Sequence, residues 1–480
     1  MEELFFQPKV EDYYPKVEIS GFNVDLDELK KFMENETLTP EIITAAYARI
    51  SRSSDELRTL RDKAKEDVSA SRASNTRIIY EYGHSSVAEH AYFNFDISRI
   101  SRLALESLES FRIASFTEKS QRYVVFSPPD ICIPIEIENQ EIRKKYVHVI
   151  STLFNFYEKA NNMLVEKFGN KQKGRCIAQE DSRYILPLAT RSQVGFSVNG
   201  RSLERIISRL QSSPLSEVRT LGKFLFDEVY DYAPSIIKYV EPHGYFEKSF
   251  KYCKDIAELY GKKTVEKNDE DVKLVYFTPN GEDRLLGILL MEHGRLSAEK
   301  SFAVVRKMKE EQKEELIREC FYFQEYYQDP PKQFELLELG FEVNISATAF
   351  AQLKRHRLTT LIKQPYSTSL GLTIPKTITQ IGLENEIKGI NEELIKVYEE
   401  LKTNYGNDVA SYILTNAHKR KVFIKFNLRN FFSFSRLRID KHAQWDIREI
   451  SEKMLDQVRE VYPICSRYIT GKDNHRTLLP

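Results

Sequence analysis

The stretches Phe93-Asn94-Phe95-Asp96-Ile97-Ser98 and Phe341-Glu342-Val343-Asn344-Ile345-Ser346 open on the same Phe-x-x-x-Ile-Ser spacing. In the first, Phe93, Phe95 and Ile97 alternate with polar residues, which is the period-two pattern of a strand with one buried face. A helical stretch follows each: 100–111 in one case, Ser346 into a basic cluster in the other. The order of parts recurs further out. Asn-x-Arg occurs at Asn199/Arg201 and at Asn427/Arg429, and the last helical run of each half stops at a Tyr closely followed by Pro (Tyr232/Pro234 and Tyr462/Pro463). Such recurrence over a long period predicts an internal duplication, not a short-period solenoid.

Composition agrees with two packed bodies. The chain has 480 residues, 41% hydrophobic and 30% charged, enough apolar material for two cores of ordinary size. Lys plus Arg equals Asp plus Glu at 71 each, so no global field draws in nucleic acid or a membrane, and any anion site has to be built locally. The start Met1-Glu2-Glu3-Leu4-Phe5-Phe6 lacks a basic region and a long apolar run, which makes a cytoplasmic protein without a membrane partner the expectation. Cys132, Cys176, Cys253, Cys320 and Cys465 are odd in number, far apart and never in Cys-x-x-Cys spacing, so they read as reduced thiols. Thr39 and Pro40 give a cap and a first turn for a helix along 41–50. Long helices are expected at 141–167 and 384–405, and a strand at 272–277. The polar run 241–271 reads as a boundary, dividing the chain into units 1–245 and 272–480 with a linker at 246–271.

Four clusters carry chemistry. In Arg112-Ile113-Ala114-Ser115-Phe116-Thr117-Glu118-Lys119-Ser120-Gln121-Arg122-Tyr123, an extended backbone sets Glu118, Ser120 and Arg122 on one face. Carboxylate, hydroxyl and guanidinium there suit a sugar, a base edge and a phosphate; a solvated edge strand is the alternative. Gln352-Leu353-Lys354-Arg355-His356-Arg357 concentrates positive charge at a helix end, which suits a phosphate or merely complements the helix dipole. Arg438 and His442, four apart, are expected to share a helix face near Trp445, the only tryptophan, either as a ligand face or as a salt-bridged surface. In Gly83-His84-Ser85-Ser86-Val87-Ala88-Glu89-His90 two histidines flank a glutamate, but with no third ligand at fixed spacing no metal site is expected.

Together these segments resemble the flavin-dependent thymidylate synthases, whose signature runs Arg-His-Arg-x-x-Ser-x-Asn-Glu-x-Ser-x-Arg-Tyr. That family also carries Gly-His-x-Ser-x-x-Glu-His, Arg-x-x-Leu-Pro, Asn-x-Arg and His-Ala-Gln-Trp elements. The first half matches at Gly83 to His90, at Arg112, Ser115, Glu118, Ser120, Arg122 and Tyr123, at Arg183-Tyr184-Ile185-Leu186-Pro187 and at Asn199-Gly200-Arg201. It has Ser110-Phe111-Arg112 in place of Arg-His-Arg, and Ser213-Pro214-Leu215-Ser216-Glu217 in place of His-Ala-Gln-Trp-Glu. The second half has the reverse pattern. Arg355-His356-Arg357, Asn427-Leu428-Arg429, Arg438 and His442-Ala443-Gln444-Trp445-Asp446 are intact, whereas Lys363-Gln364-Pro365-Tyr366-Ser367 replaces Glu-x-Ser-x-Arg and Ser411-Tyr412-Ile413-Leu414 stands where the Leu-Pro arginine belongs.

The resemblance implies an α+β fold of two tandem units, each a sheet flanked by helices, and a homodimer that imitates the family's four-unit assembly. It implies methylation of dUMP to dTMP with methylenetetrahydrofolate as carbon source, FAD as cofactor and NADPH as reductant, at a site to which both halves contribute. Carried over residue by residue, Arg438, Glu118 and Ser120 are the catalytic positions. Arg122, Arg183, Gln352 and Arg355 bind the nucleotide, and His90, His356, Arg357, Asn427, Arg429 and His442 bind flavin. The competing readings are a catalytically inactive flavin- or nucleotide-binding relative and a flavoenzyme acting on a different pyrimidine.

Overall fold

The computed structural model describes residues 14–24, 39–49, 53, 55–126, 131–242, 244–261 and 270–474. The hexapeptide start, Leu38, Ile50 and the run 262–269 of the expected linker lie outside the described residues. Two compact units form: Met1–Val265 with Lys376–Leu414, and Glu266–Pro375 with Thr415–Pro480. The partition is not the contiguous one that the sequence repeat suggests, because residues 376–414 of the second copy pack with the first. Within the expected linker, Gly244–Gly261 is helical. Its Tyr245, Tyr252 and Leu259 recur every seven residues, a periodicity that the surrounding charges obscure.

The first unit is built on an antiparallel sheet of β1 (Lys16–Phe22), β2 (Tyr92–Ser101), β3 (Ser115–Glu118) and β4 (Arg191–Asn199), in the order β1-β2-β4-β3. The alternating residues of β2 and β4, Phe93, Phe95, Ile97, Val194, Phe196 and Val198, are all buried, and the Phe95 and Phe196 rings stack across the ladder at 5.8 Å. At 41–49 the helix forms as expected. The Thr39 hydroxyl accepts from Glu41 N–H at 3.2 Å and donates to the Tyr232 carbonyl at 2.7 Å.

Two long helices of this unit, Gln140–Phe168 and Glu384–Ala410, are counterparts in the two copies and pack against each other. They run antiparallel, since Lys145 pairs with Glu400 at 2.8 Å and Lys159 with Glu386 at 2.6 Å. A glycine ends the first and interrupts the second: Gly169, just after Phe168, has φ 88, ψ 157, and Gly406 has φ 84, ψ 168. Only glycine occupies that backbone region readily, which explains the glycine shared by Phe168-Gly169-Asn170 and Tyr405-Gly406-Asn407. The chain after Gly406 is tied down by backbone bonds from Leu188 N–H to the Leu414 carbonyl (2.7 Å) and from Ala189 N–H to the Tyr412 carbonyl (2.9 Å). The buried Tyr412 hydroxyl donates to Glu217 at 2.7 Å. These bonds hold 376–414 in the first unit.

The second unit has β5 (Val272–Phe277), β6 (Glu338–Ser346), β7 (Thr360–Lys363), β8 (Ser367–Leu372) and β9 (His418–Asn427), ordered β5-β6-β9-β7 with β8 also pairing β9. Phe341, Val343, Ile345, Val422, Ile424 and Phe426 face a core completed by Phe431 and Phe434 of the helix Leu428–Arg438. Counting along β4 and β9 from the capping residues Asn199 and Asn427 makes Val194 the counterpart of Val422, and Phe95, not Phe93, the counterpart of Phe341. The Phe-x-x-x-Ile-Ser echo is therefore two residues out of register. A bulge between Ile97 and Ile100, with Arg99 at φ 59, adds a further residue to β2, so that Ser101 and Ser346 become equivalent. Both cap the following helix through their hydroxyls, to Ala104 N–H and Ala349 N–H at 3.0 Å. Each hydroxyl also donates to a buried carboxylate, Glu217 at 2.6 Å and Asp446 at 2.5 Å. Glu217 thus keeps the place of Asp446 although the residues before it have diverged. Among the described residues no helix is long and apolar enough to cross a membrane.

Candidate functional site

In the first unit the strand β3 ends at Glu118, and residues 121–123 form a turn. The expected single extended face is not formed, because the Ser120 hydroxyl accepts from Arg122 N–H at 3.1 Å and the Ser120 carbonyl from Tyr123 N–H at 3.3 Å, bending the chain. The side chains are held instead in two groups, one around Glu118 and one around Glu180. Glu118 is bonded to Arg102, both side chains less than a tenth exposed, and accepts from the Ser192 hydroxyl at 3.4 Å. Arg122 donates to Glu180 at 3.0 Å, and Arg183 donates to the Glu180 carbonyl at 3.1 Å. Burial lowers the pKa of Arg183; Tyr184 and Glu180 oppose that shift, while Arg122 and Arg102 add to it. Burial also opposes charge on Arg102, but Glu118, Glu109 and Glu106 outweigh it and raise its pKa. Arg122 Nε is buried without a hydrogen-bond partner.

His90 lies apart, exposed on a short 3-10 helix (Ser85–His90), its ring edge-on to Tyr47 at 4.7 Å. Among the described residues no group of three or more His, Cys, Asp or Glu is placed to hold a metal ion.

In the second unit the helix Ala347–Leu353 stops just before the basic cluster. Gln352 on its last turn is buried, and its Nε2 has no hydrogen-bond partner. Arg355 is exposed and Arg357 half-buried. Arg438 Nε donates to His356 Nε2 at 3.0 Å, which places the imidazole proton on Nδ1. Burial, with Arg438 and Arg355 adding to it, pushes His356 down to about 3, so the ring is neutral and serves as an acceptor. Its ring also meets Phe434 edge-on at 4.9 Å.

The expected helix through Arg438 and His442 is broken. One helix ends at Arg438 and the next, Trp445–Val461, begins after it. Asp440 makes the break: its Oδ1 accepts from both the backbone N–H and the ring Nδ1 of His442 at 2.8 Å. Burial would raise the Asp440 pKa, but these bonds hold it below the ordinary carboxylate value. Gln444 then caps the second helix. Asn427 caps Leu428–Arg438 by accepting from Asn430 N–H at 2.8 Å, as Asn199 does for Ser202 N–H in the first unit. Arg429 is held by the Pro330 carbonyl and Glu335, both at 2.8 Å.

The structure thus links Arg122 and Arg183 through Glu180, pairs Glu118 with Arg102, and joins His356 to Arg438, whereas His442 and Arg429 have partners of their own. Arg102, Glu180 and Asp440 escaped the sequence reading. For Arg102 a signal was present: a lone cation between Ile100 and Leu103-Ala104-Leu105, in an otherwise apolar turn, needs a buried counter-charge.

These features define a two-copy α+β protein in which each copy presents a guanidinium-rich cluster beside its antiparallel sheet. The thymidylate synthase complementing protein family matches residues 33–235 and 273–464, and the chain belongs to that family as two copies in tandem. A flavin-dependent thymidylate synthase from Clostridium tetani is 30% identical over 46% of this chain and 92% of its own length. A UPF0159 protein from Thermoplasma acidophilum is 26% identical over 83% of this chain and 88% of its own. Among solved structures, thymidylate synthase X from Helicobacter pylori with FAD and dUMP is similar at 20% identity and a TM-score of 0.33, covering 48% of this chain and all of that one.

Proposed function

We propose that the chain is a flavin-dependent thymidylate synthase that converts dUMP to dTMP, with the two copies supplying complementary residues to one nucleotide and flavin site. The observation that carries this reading is the division of retained groups. The first copy keeps Glu118, paired with Arg102, and keeps Arg122 and Arg183, both bonded to Glu180, and it lacks Arg-His-Arg. The second keeps Arg355-His356-Arg357 with the His356–Arg438 bond and lacks Glu-x-Ser-x-Arg. Arg122 Nε and Gln352 Nε2, buried donors without partners, fit an anionic ligand that also offers carbonyl oxygens.

Arg122, Arg183 and Arg355 bind the phosphate, for which a planar guanidinium supplies paired donors. Gln352 donates to the nucleotide. Glu118 and Ser120 orient the pyrimidine, and Arg438, held in place by the neutral His356, stabilises negative charge that develops on it. His90, His356, Arg357, Asn427, Arg429 and His442 orient the isoalloxazine and pyrophosphate. FAD supplies the redox chemistry when bound, with NADPH as reductant and methylenetetrahydrofolate as carbon donor. The working assembly is a homodimer.

Purified protein is expected to be yellow, and dUMP to perturb its flavin absorbance. A colourless protein that does not respond to dUMP refutes the reading. Arg122→Ala and Arg355→Ala are each expected to abolish nucleotide binding; binding retained in either variant shows that the two copies do not share a site.

A further inference from the structure

We infer that Arg102 is a positioning residue for Glu118, fixing its carboxylate for the nucleotide; the inference rests on the nucleotide reading proposed above. Arg102 occupies the first turn of the helix Arg102–Leu108, and its backbone N–H is anchored to the Thr190 carbonyl at 2.9 Å. Ser101, which caps that turn, is itself fixed by Glu217 through its N–H at 2.7 Å and its hydroxyl at 2.6 Å. The base from which Arg102 reaches is therefore rigid. Its Nη1 and the Ser192 hydroxyl both bind Glu118 Oε1, so one carboxylate oxygen is held from two elements while the backbone of Glu118 is set by its pairing with Val194.

The second copy supplies an internal control. In the sheet register Val194 corresponds to Val422, so Lys363 stands in the place of Glu118 and Arg420 in that of Ser192. Ser101 corresponds to Ser346, so Ala347 stands in the place of Arg102. Where the carboxylate has gone, its guanidinium partner has gone too. The surroundings there are aromatic, with the Arg420 guanidinium 3.7 Å from the Tyr366 ring centroid and 4.9 Å from that of Phe350. A buried ion pair gives little net stability over an apolar pair of similar size, so stability alone does not explain why the pair persists in one copy and is replaced in the other. Its occurrence in the copy that keeps Arg122 and Arg183 points to orientation of Glu118.

The test is a double-variant cycle read by titrating the flavin-bound protein with dUMP and following the flavin spectrum, with thermal melting recorded in parallel. R102M is expected to weaken dUMP binding at least about 30-fold, because Glu118 then loses the guanidinium that orients it and keeps only the Ser192 hydroxyl. R102K, which keeps the cation, is expected to restore affinity to within about tenfold of wild type. In the E118Q background neither change should have a further effect, because Arg102 acts through Glu118. R102M binding within about threefold of wild type, or losses that multiply in the double variant, overturns the assignment while leaving the proposed function standing. If R102M does not fold, R102K with and without E118Q gives the same comparison, and an R102K loss that multiplies with that of E118Q overturns it. Absence of any dUMP response in wild type overturns both readings.

Discussion

Acidification should weaken the second unit by an amount set by two neutral histidines. His418, buried at the start of β9, has Nδ1 within 3.0 Å of Thr415 N–H, from which it accepts, and burial pushes it down to about 4. His356 is held at about 3 by burial and by Arg438 and Arg355. Both folded values lie below the unfolded value of about 6.5. The unfolded chain therefore takes up protons first as pH falls, and stability is lost from about pH 6.5 downward, until each folded group protonates in turn. Between about pH 7.5 and about pH 5, His418 alone removes about 2 kcal/mol, and His356, which is less completely enclosed, adds up to a similar amount. Trp445, the only tryptophan, lies in this unit, so its fluorescence during urea unfolding follows the second unit specifically. His418→Gln, whose side-chain oxygen can accept from Thr415 N–H, should lower stability at neutral pH yet lose about 2 kcal/mol less on acidification. An unchanged acid dependence in that variant would show that His418 is not held neutral by burial.

Three further outcomes follow from local geometry. Gly406→Ala should cost about 1–3 kcal/mol, measured by thermal melting, because φ 84, ψ 168 is a region that alanine adopts only under strain; a change below about 0.5 kcal/mol refutes this. Tyr412→Phe should destabilise the first unit by about 1–3 kcal/mol in chemical denaturation, since it deprives buried Glu217 of a donor. Ser346→Ala removes both a helix cap and the donor to Asp446, and hydrogen exchange across 347–353 should accelerate at least tenfold, for a loss of about 1.4 kcal/mol or more; unchanged protection there would count against it.

Local patterns were readable wherever a residue's role depends on its near neighbours. The alternation of Phe93, Phe95 and Ile97 predicted β2, the Thr39-Pro40 start predicted the following helix, and 272–277 is the strand β5. The Asn-x-Arg echo marked two equivalent helix caps at Asn199 and Asn427. Reading failed where a turn depended on one side-chain bond. Asp440 ends a helix that apolar spacing alone would continue, and Ser120 bends the backbone away from the extended face on which Arg122 was expected.

By itself the sequence determined the duplication, the family and the complementary survival of motifs, because these depend on residue identity and order along the chain. Tertiary structure decided which copies of an element are equivalent and where each packs. The bulge at Arg99 shifts β2, and Ser101 becomes the partner of Ser346 only when hydrogen-bond register is counted across β4 and β9. The residence of 376–414 in the first unit, and the meeting of Arg102 with Glu118, likewise depend on contacts between residues far apart in sequence or on separate elements. No periodicity records such contacts, since burial energy and ion pairing act between neighbours in space.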